Sequence, residues 1–179
     1  MFKGDVFYCP QCEFQPEVIE GFSAFAPELI RENDGFKPES FADLYTLEAQ
    51  SFWFTSRNKI VLWALNKFFP KTENMLEIGC GTGFVLEGIT QKRPDISLYG
   101  SEIFIQGLHF ARQRLKDKAD LFQMDARNIP YYQEFDVIGA FDVLEHIKED
   151  EKVLNQMHHA LVPGGGWSLR SHSTNGCGV

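Results

Sequence analysis

Residues 76–84 read LEIGCGTGF. An apolar run interrupted by one acid, Glu77, leads straight into glycines at alternate positions, Gly79, Gly81 and Gly83. MLEIGC has the composition of a buried strand, and GTGFVLEGI opens a helix, so the glycines fall at a sharp strand-to-helix turn. Positions without side chains permit positive φ and let a ligand press against the backbone. The helix N-terminus adds unpaired N–H groups facing the same space.

The chain around this turn alternates. After residue 70, β-like runs (NMLEIGC, SLYGSEI, ADLFQMD, FDVIGAFD, GGGWSLRSHS) are separated by helical segments such as Ile105, Leu108, Arg112, Leu115 and Val153, Leu154, Met157, Leu161. Strand and helix in turn predict right-handed crossovers and a parallel sheet with helices on both faces, an α/β Rossmann-like fold with five strands. Residues 40–70 read as a helical cap, with Ile60, Val61, Ala64, Leu65 and Phe68 on one face and Pro70 as the stop. Residues 1–39, rich in proline, glycine and aromatics, read as an irregular arm, and residues 71–179 as the core. In such a sheet, ligands bind outside the carboxyl ends of the strands, where strand order reverses.

Composition narrows the function. The 179 residues suit one domain, and 44% apolar content with 17 phenylalanines is ample for a core. A formal charge of -8 argues against a nucleic-acid partner and favours a neutral or cationic small ligand. The apolar runs fall short of the roughly 18 residues that a membrane span needs, and MFKGDVFYCPQC lacks a signal-peptide layout, so a cytoplasmic location is expected. Cys9, Cys12, Cys80 and Cys177 include one close pair. A structural zinc site needs four ligands, so Cys9-Pro-Gln-Cys12 reads as two reduced thiols and no metal is expected; a relic site or one completed by another chain are the alternatives.

A dinucleotide fingerprint, G-x-G-x-x-G, would need glycine at Phe84, so it fails here. The pattern that stands instead, E-x-G-x-G-x-G, resembles the first motif of the class I S-adenosylmethionine-dependent methyltransferases, of the type 11/12-like kind. Glu77 suits that ligand's ammonium and sulfonium charges. The resemblance runs from residue 41 to 173. Glu102 ends the second strand roughly 20 residues past the first glycine, where an acid can accept from ribose hydroxyls; a solvated strand-end acid is the alternative. Asp125, after FQM, stands where the family's acid receives the adenine amino group, with the Ala126 backbone beside it, although Asp is also an ordinary turn former. FDVLEHI (141–147) resembles the family's segment after the fourth strand, which implicates Phe141, Asp142 and Val143 beside the methionine moiety. Cys80 in the loop and Ile103 beside Glu102 complete the expected cofactor-binding set. HALVPGGGW (159–167) resembles the turn from helix to fifth strand.

What the resemblance implies is methyl transfer from S-adenosylmethionine to a small-molecule acceptor. A sulfonium methyl is already activated, so catalysis is mostly in-line positioning, with a base only where the nucleophile carries a proton. His146, at the mouth, is the candidate base; capping or lining the next helix is its alternative role. His158 and His159 read as surface or core. LEAQSFWFTSR (47–57) resembles a segment that precedes the first motif in a bacterial and archaeal subset. There Phe52, Trp53 and Phe54 would wall a lid and Arg57 reach the methionine carboxylate, with helix packing as the alternative. The family's sheet has seven strands, and with five before the polar end RSHSTNGCGV this chain reads as C-terminally shortened, leaving the fifth strand an open edge that invites a homodimer. Two other functions stay open: a non-catalytic S-adenosylmethionine-binding protein, and a nicotinamide-dependent oxidoreductase.

Overall fold

The computed structural model describes residues 2–3, 6–10, 12–31 and 40–170. Cys177 and the polar tail lie outside them. The core alternates as its sequence pattern requires: β5 (Asn74–Ile78), α3 (Phe84–Lys92), β6 (Ser97–Glu102), α4 (Ile105–Leu115), β7 (Asp120–Gln123), β8 (Phe135–Phe141), α5 (Asp150–Ala160) and β9 (Leu161–Arg170). Ahead of it run β1 (Phe2–Lys3), β2 (Val6–Phe7), β3 (Glu17–Ile19), β4 (Phe22–Ala24), α1 (Ser40–Leu47) and α2 (Phe52–Phe68). The cap is thus two helices, broken at residues 48–51.

The sheet has seven strands in the order β3-β4-β7-β6-β5-β8-β9, parallel except for the β3/β4 hairpin. This corrects the expected count of five. The two additional strands come from residues expected to be irregular, and three-residue strands are too short for alternation to register. Their turn is Glu20-Gly21, with φ of 51° and 81°, between the Ile19↔Phe22 pair. Positive φ at both central residues matches the twist of a tight hairpin. Strand β4 then pairs in parallel with β7 and covers that edge, leaving β9 at the other.

Both faces of the sheet are buried, as parallel strands require. On one, Met75 and Val137 meet Val61, Leu65, Leu86, Ile89, Leu108 and Leu115 from α2, α3 and α4. On the other, Leu76, Ile78, Ile138 and Ala140 meet Val153, Met157 and Ala160 from α5. Met75 and Leu76 therefore point into different cores and Ile78 shares that of Leu76, so the strand is buried on both faces up to the glycine turn. The segment expected to turn before the fifth strand lies within β9 itself: the register jumps from Phe135↔Leu161 to Val137↔Gly166, and Gly164 takes φ of 86°. Among the described residues, no helix is long and apolar enough to cross a membrane.

Candidate active site

Chain order reverses beside β5, since β6 and β7 lie to one side and β8 and β9 to the other. The carboxyl ends of β5, β6, β7 and β8 carry almost every residue singled out from the sequence. The three glycines of the turn all adopt positive φ, but their surroundings differ. A Cβ on Gly83 would come within 2.9 Å of Leu115 Cδ1 and 3.2 Å of the Ala111 backbone, and one on Gly79 would collide with Val143 Cγ2. A Cβ on Gly81 would meet only Phe41 Cε1, at 3.8 Å. Gly81 therefore faces open space, where a ligand can lie against the main chain. Cys80 is buried within the core, and burial holds its thiol well above the usual range, so it packs without reacting.

Two acids converge on this turn. Glu77 is 3% exposed, and its Oε2 has no hydrogen-bond partner. Burial pushes its pKa up to about 8; the nearby Arg57 charge works against that rise, while Glu48 and Glu102 add to it. Glu102, also buried, accepts the Gly81 N–H at 3.0 Å through Oε2, and the Ile103 and Phe104 N–H groups at 2.9 and 3.2 Å through Oε1. Burial raises its pKa, and these three donors partly offset the rise. The side chain thus ties the glycine turn to the start of α4, and Ile103 takes part through its backbone.

The remaining sequence candidates are placed as follows. Asp125 accepts Arg127 N–H at 2.9 Å and Nε at 3.0 Å, while Arg127 Nη1 donates to Glu149 at 2.9 Å. Ala126 is buried in the core on the α5 face. Phe141 is buried against the α2 and α3 face. Asp142, at φ 59°, accepts Arg57 Nη1 at 2.8 Å, and Val143 stands against Gly79. His146 ends a short 3-10 helix, Leu144–His146, with an exposed side chain and its N–H donated to the Val143 carbonyl, so it is not drawn into the site. Of the aromatic triplet, Phe54 packs edge-on against Phe84, whereas Phe52 and Trp53 are 85% and 43% exposed. Arg57 is only 10% exposed, and its Nε is buried without a partner.

Sequence reasoning missed Thr82 and Arg114, and it placed Glu48 only as the first residue of the pattern expected to cover the cofactor pocket. Glu48, in the break between α1 and α2, accepts the Thr82 hydroxyl at 2.6 Å and pairs with Arg114 of α4 at 2.9 Å. Burial raises the Glu48 pKa against the pull of Thr82 and Arg114. The Arg114 guanidinium also lies 4.4 Å from the Tyr45 ring centroid and 5.0 Å from that of Phe84. The signal for Glu48 was its place in the pattern Glu-x-x-x-Phe-Trp-Phe-x-x-Arg, which does not specify Thr82 or Arg114 as its partners. Among the described residues, no group of three or more His, Cys, Asp or Glu side chains is placed to hold a metal ion.

Comparison with known proteins finds methyltransferases over this part of the chain. Norajmaline N-methyltransferase of Rauvolfia serpentina is 32% identical over 100 residues, covering 52% of this chain and 34% of the relative. Ubiquinone biosynthesis O-methyltransferase of Azoarcus sp. (strain BH72) is 26% identical over 96 residues, covering 52% and 41%. The chain thus spans well under half the length of either relative. Among solved structures, S-adenosylmethionine-bound CalS10, an amino pentose methyltransferase of Micromonospora echinaspora, superposes with a TM-score of 0.63 at 25% identity, covering 79% of this chain and 59% of that one. The family model described as a methyltransferase domain matches residues 76–167, which begin at the strand of the glycine turn and end in β9, and the chain belongs to that family.

Proposed function

We propose that the chain binds S-adenosylmethionine at the carboxyl ends of β5, β6 and β7 and transfers its methyl group to a small-molecule acceptor. One observation carries this reading. Two buried polar atoms, Glu77 Oε2 and Arg57 Nε, stand without hydrogen-bond partners on side chains close enough to interact electrostatically, and Glu77 lies in the strand that leads into the glycine turn, where Gly81 faces open space. Leaving such groups unsatisfied costs about 1 to 3 kcal/mol each, so they suit a zwitterion with an ammonium for Glu77 and a carboxylate for Arg57. Arg57 holds Asp142 through Nη1 and keeps Nε for the ligand.

When bound, S-adenosylmethionine supplies a methyl on a sulfonium, and in-line attack forms the new bond to carbon as the C–S pair returns to sulfur. The protein's part is to bind and orient. Glu102 would turn an oxygen from the Gly81 N–H to the ribose hydroxyls, and Asp125, released in part from Arg127, would receive the adenine amino group. Phe141, Asp142 and Val143 would flank the methionine end, and His146 would take the proton of an acceptor that carries one, after moving inward from its exposed position. Calorimetric titration with S-adenosylmethionine, S-adenosylhomocysteine and NAD tests the reading. Binding of the first two alone is expected, and binding of NAD alone would give the site to a nicotinamide. A protein that binds but turns over no acceptor would be a cofactor-binding protein only.

The acidic charge supports an acceptor other than nucleic acid. The free thiols Cys12 and Cys80 suit a reducing, cytoplasmic setting. A homodimer through the β9 edge is supported by the terminal place of that strand and by Trp167, 53% exposed on it. Light scattering that stays monomeric at high concentration would exclude it.

A further inference from the structure

The glycine turn is held by two buried carboxylates acting on consecutive residues. Glu102 Oε2 takes the Gly81 N–H at 3.0 Å, and Glu48 Oε2 takes the Thr82 hydroxyl at 2.6 Å. The two acids come from different parts of the molecule. Glu102 ends β6 inside the core, whereas Glu48 belongs to the cap, in the break after α1. Thr82, Glu48 and the Arg114 side chain are 2%, 5% and 6% exposed, so this contact is shielded from water and cannot be exchanged cheaply for hydration. The same Glu48 oxygen receives Arg114 Nη2 at 2.9 Å, and Arg114 Nη2 also donates to the Tyr45 carbonyl of α1 at 3.3 Å. The cap therefore reaches the turn at its side chain and α4 at its charge through one atom.

We propose that Glu48 is a positioning residue, which holds the glycine turn in its ligand-ready form through the Thr82 hydroxyl and thereby couples docking of the cap to occupancy of the site. The proposal rests on the S-adenosylmethionine reading for its ligand but not for its geometry. Once Glu102 is engaged by a ribose, its hold on Gly81 weakens, and Glu48–Thr82 remains as the side-chain tie on the turn. Coupling is reciprocal: a cap that steadies the turn favours binding, and a bound ligand must in turn steady the cap.

The test uses the full chain with Thr82→Val, which keeps the shape and removes the hydroxyl, and Thr82→Ser, which restores it. Affinity for S-adenosylhomocysteine should fall about 10-fold in Thr82→Val and return to within about twofold of wild type in Thr82→Ser. In the free protein, hydrogen exchange at the Gly81 and Gly83 amides should quicken in Thr82→Val only. In wild type, the ligand should slow exchange in α1 and α2 as well as in the turn. If Thr82→Val leaves both the turn's exchange and the affinity unchanged, or if Thr82→Ser behaves as Thr82→Val does, the proposal is overturned. If wild type does not bind S-adenosylhomocysteine, the ligand reading fails, and the exchange of the free turn still decides whether Glu48 positions it.

Discussion

Arg57 and Asp142 form an ion pair at 2.8 Å that joins cap helix α2 to the carboxyl end of β8. Asp142 takes φ of 59°, a conformation that costs a non-glycine residue of order 1 kcal/mol or more, so the pair also holds a strained backbone position at the mouth of the site. Removing Arg57 would leave the Asp142 carboxylate without that partner and take from Glu77 the opposite charge that restrains its pKa. Arg57→Ala should therefore weaken binding of S-adenosylhomocysteine by about 1.5 to 3 kcal/mol, the range for hydrogen bonds to charged groups. Methylthioadenosine, which lacks the amino-acid end, serves as the control in the same titration. Its affinity should hardly change, and an equal loss for both ligands would remove Arg57 from the carboxylate role.

Glu77 is an acid buried at a cost to the fold. Its folded pKa of about 8 lies above the ordinary carboxylate value of 4.5, so between those values the folded chain binds more protons than the unfolded one. Stability then falls as pH rises through that window, the reverse of a salt-bridged acid. Glu77→Gln removes the titration, so the variant should gain stability over wild type by a few kcal/mol at pH 8 and little at pH 5. Denaturant melts at the two pH values measure the difference. A loss of stability at pH 8 would mean that the carboxylate has a partner in solution.

If the proposed ammonium contact forms, the same group should make ligand binding release a proton. Below pH 8 the free Glu77 is mainly protonated, whereas an ammonium placed on it requires the carboxylate. Titrations of S-adenosylhomocysteine near pH 7 in buffers of different ionisation enthalpy should show net proton release, and Glu77→Gln should abolish it together with most of the affinity. An observed enthalpy independent of the buffer would place the ammonium elsewhere.

Much of this site was legible in the sequence because its residues follow strands at fixed points. Glu77 lies in β5, the glycines follow it, and Glu102 ends β6, so recognising the strands places all of them at one edge of the sheet. What was not legible is the pairing between distant segments. Arg57 and Asp142 are 85 positions apart and Glu48 and Thr82 are 34 apart, and no periodicity specifies which cap residue meets which strand end. The outward turn of Phe52 and Trp53 has the same origin, since helix phase is decided by the surface against which α2 packs, through Val61 and Leu65. The hairpin at residues 17–24 escaped notice for a local reason: its strands are three residues long, and its turn carries one glycine rather than an Asn-Gly signal.

Glu102→Ala tests a residue with two duties. It removes the proposed ribose acceptor and also the acceptors of the Gly81, Ile103 and Phe104 N–H groups. Affinity for S-adenosylhomocysteine should fall by about 1 to 3 kcal/mol, and stability should fall too because three part-buried donors lose their partner. Glu102→Gln keeps one acceptor oxygen and should recover part of the stability. Comparing affinity for adenosine with that for 2′-deoxyadenosine isolates the ribose contact: wild type should prefer adenosine, and the preference should shrink in Glu102→Ala. Equal discrimination by both proteins would leave Glu102 as a structural cap for α4.

Gly81 and Gly83 separate ligand space from packing. Both have positive φ, 53° and 75°, so alanine at either incurs a backbone cost of about 1 to 2 kcal/mol. Only at Gly83 does the added carbon also collide, at 2.9 Å from Leu115 Cδ1 and 3.2 Å from the Ala111 backbone, where α3 and α4 pack together. Gly83→Ala should therefore destabilise the fold by the strain plus an overpacking term of about 1 to 3 kcal/mol, with folded molecules still binding. Gly81→Ala should lose far less stability, because its new methyl meets only Phe41 at 3.8 Å, yet lose most of its affinity, because that methyl stands where the ligand must approach the main chain. Thermal melts and titrations on the two variants give four numbers, and the assignment requires them to cross. If Gly81→Ala binds as wild type does, the open space beside Gly81 is not the ligand's.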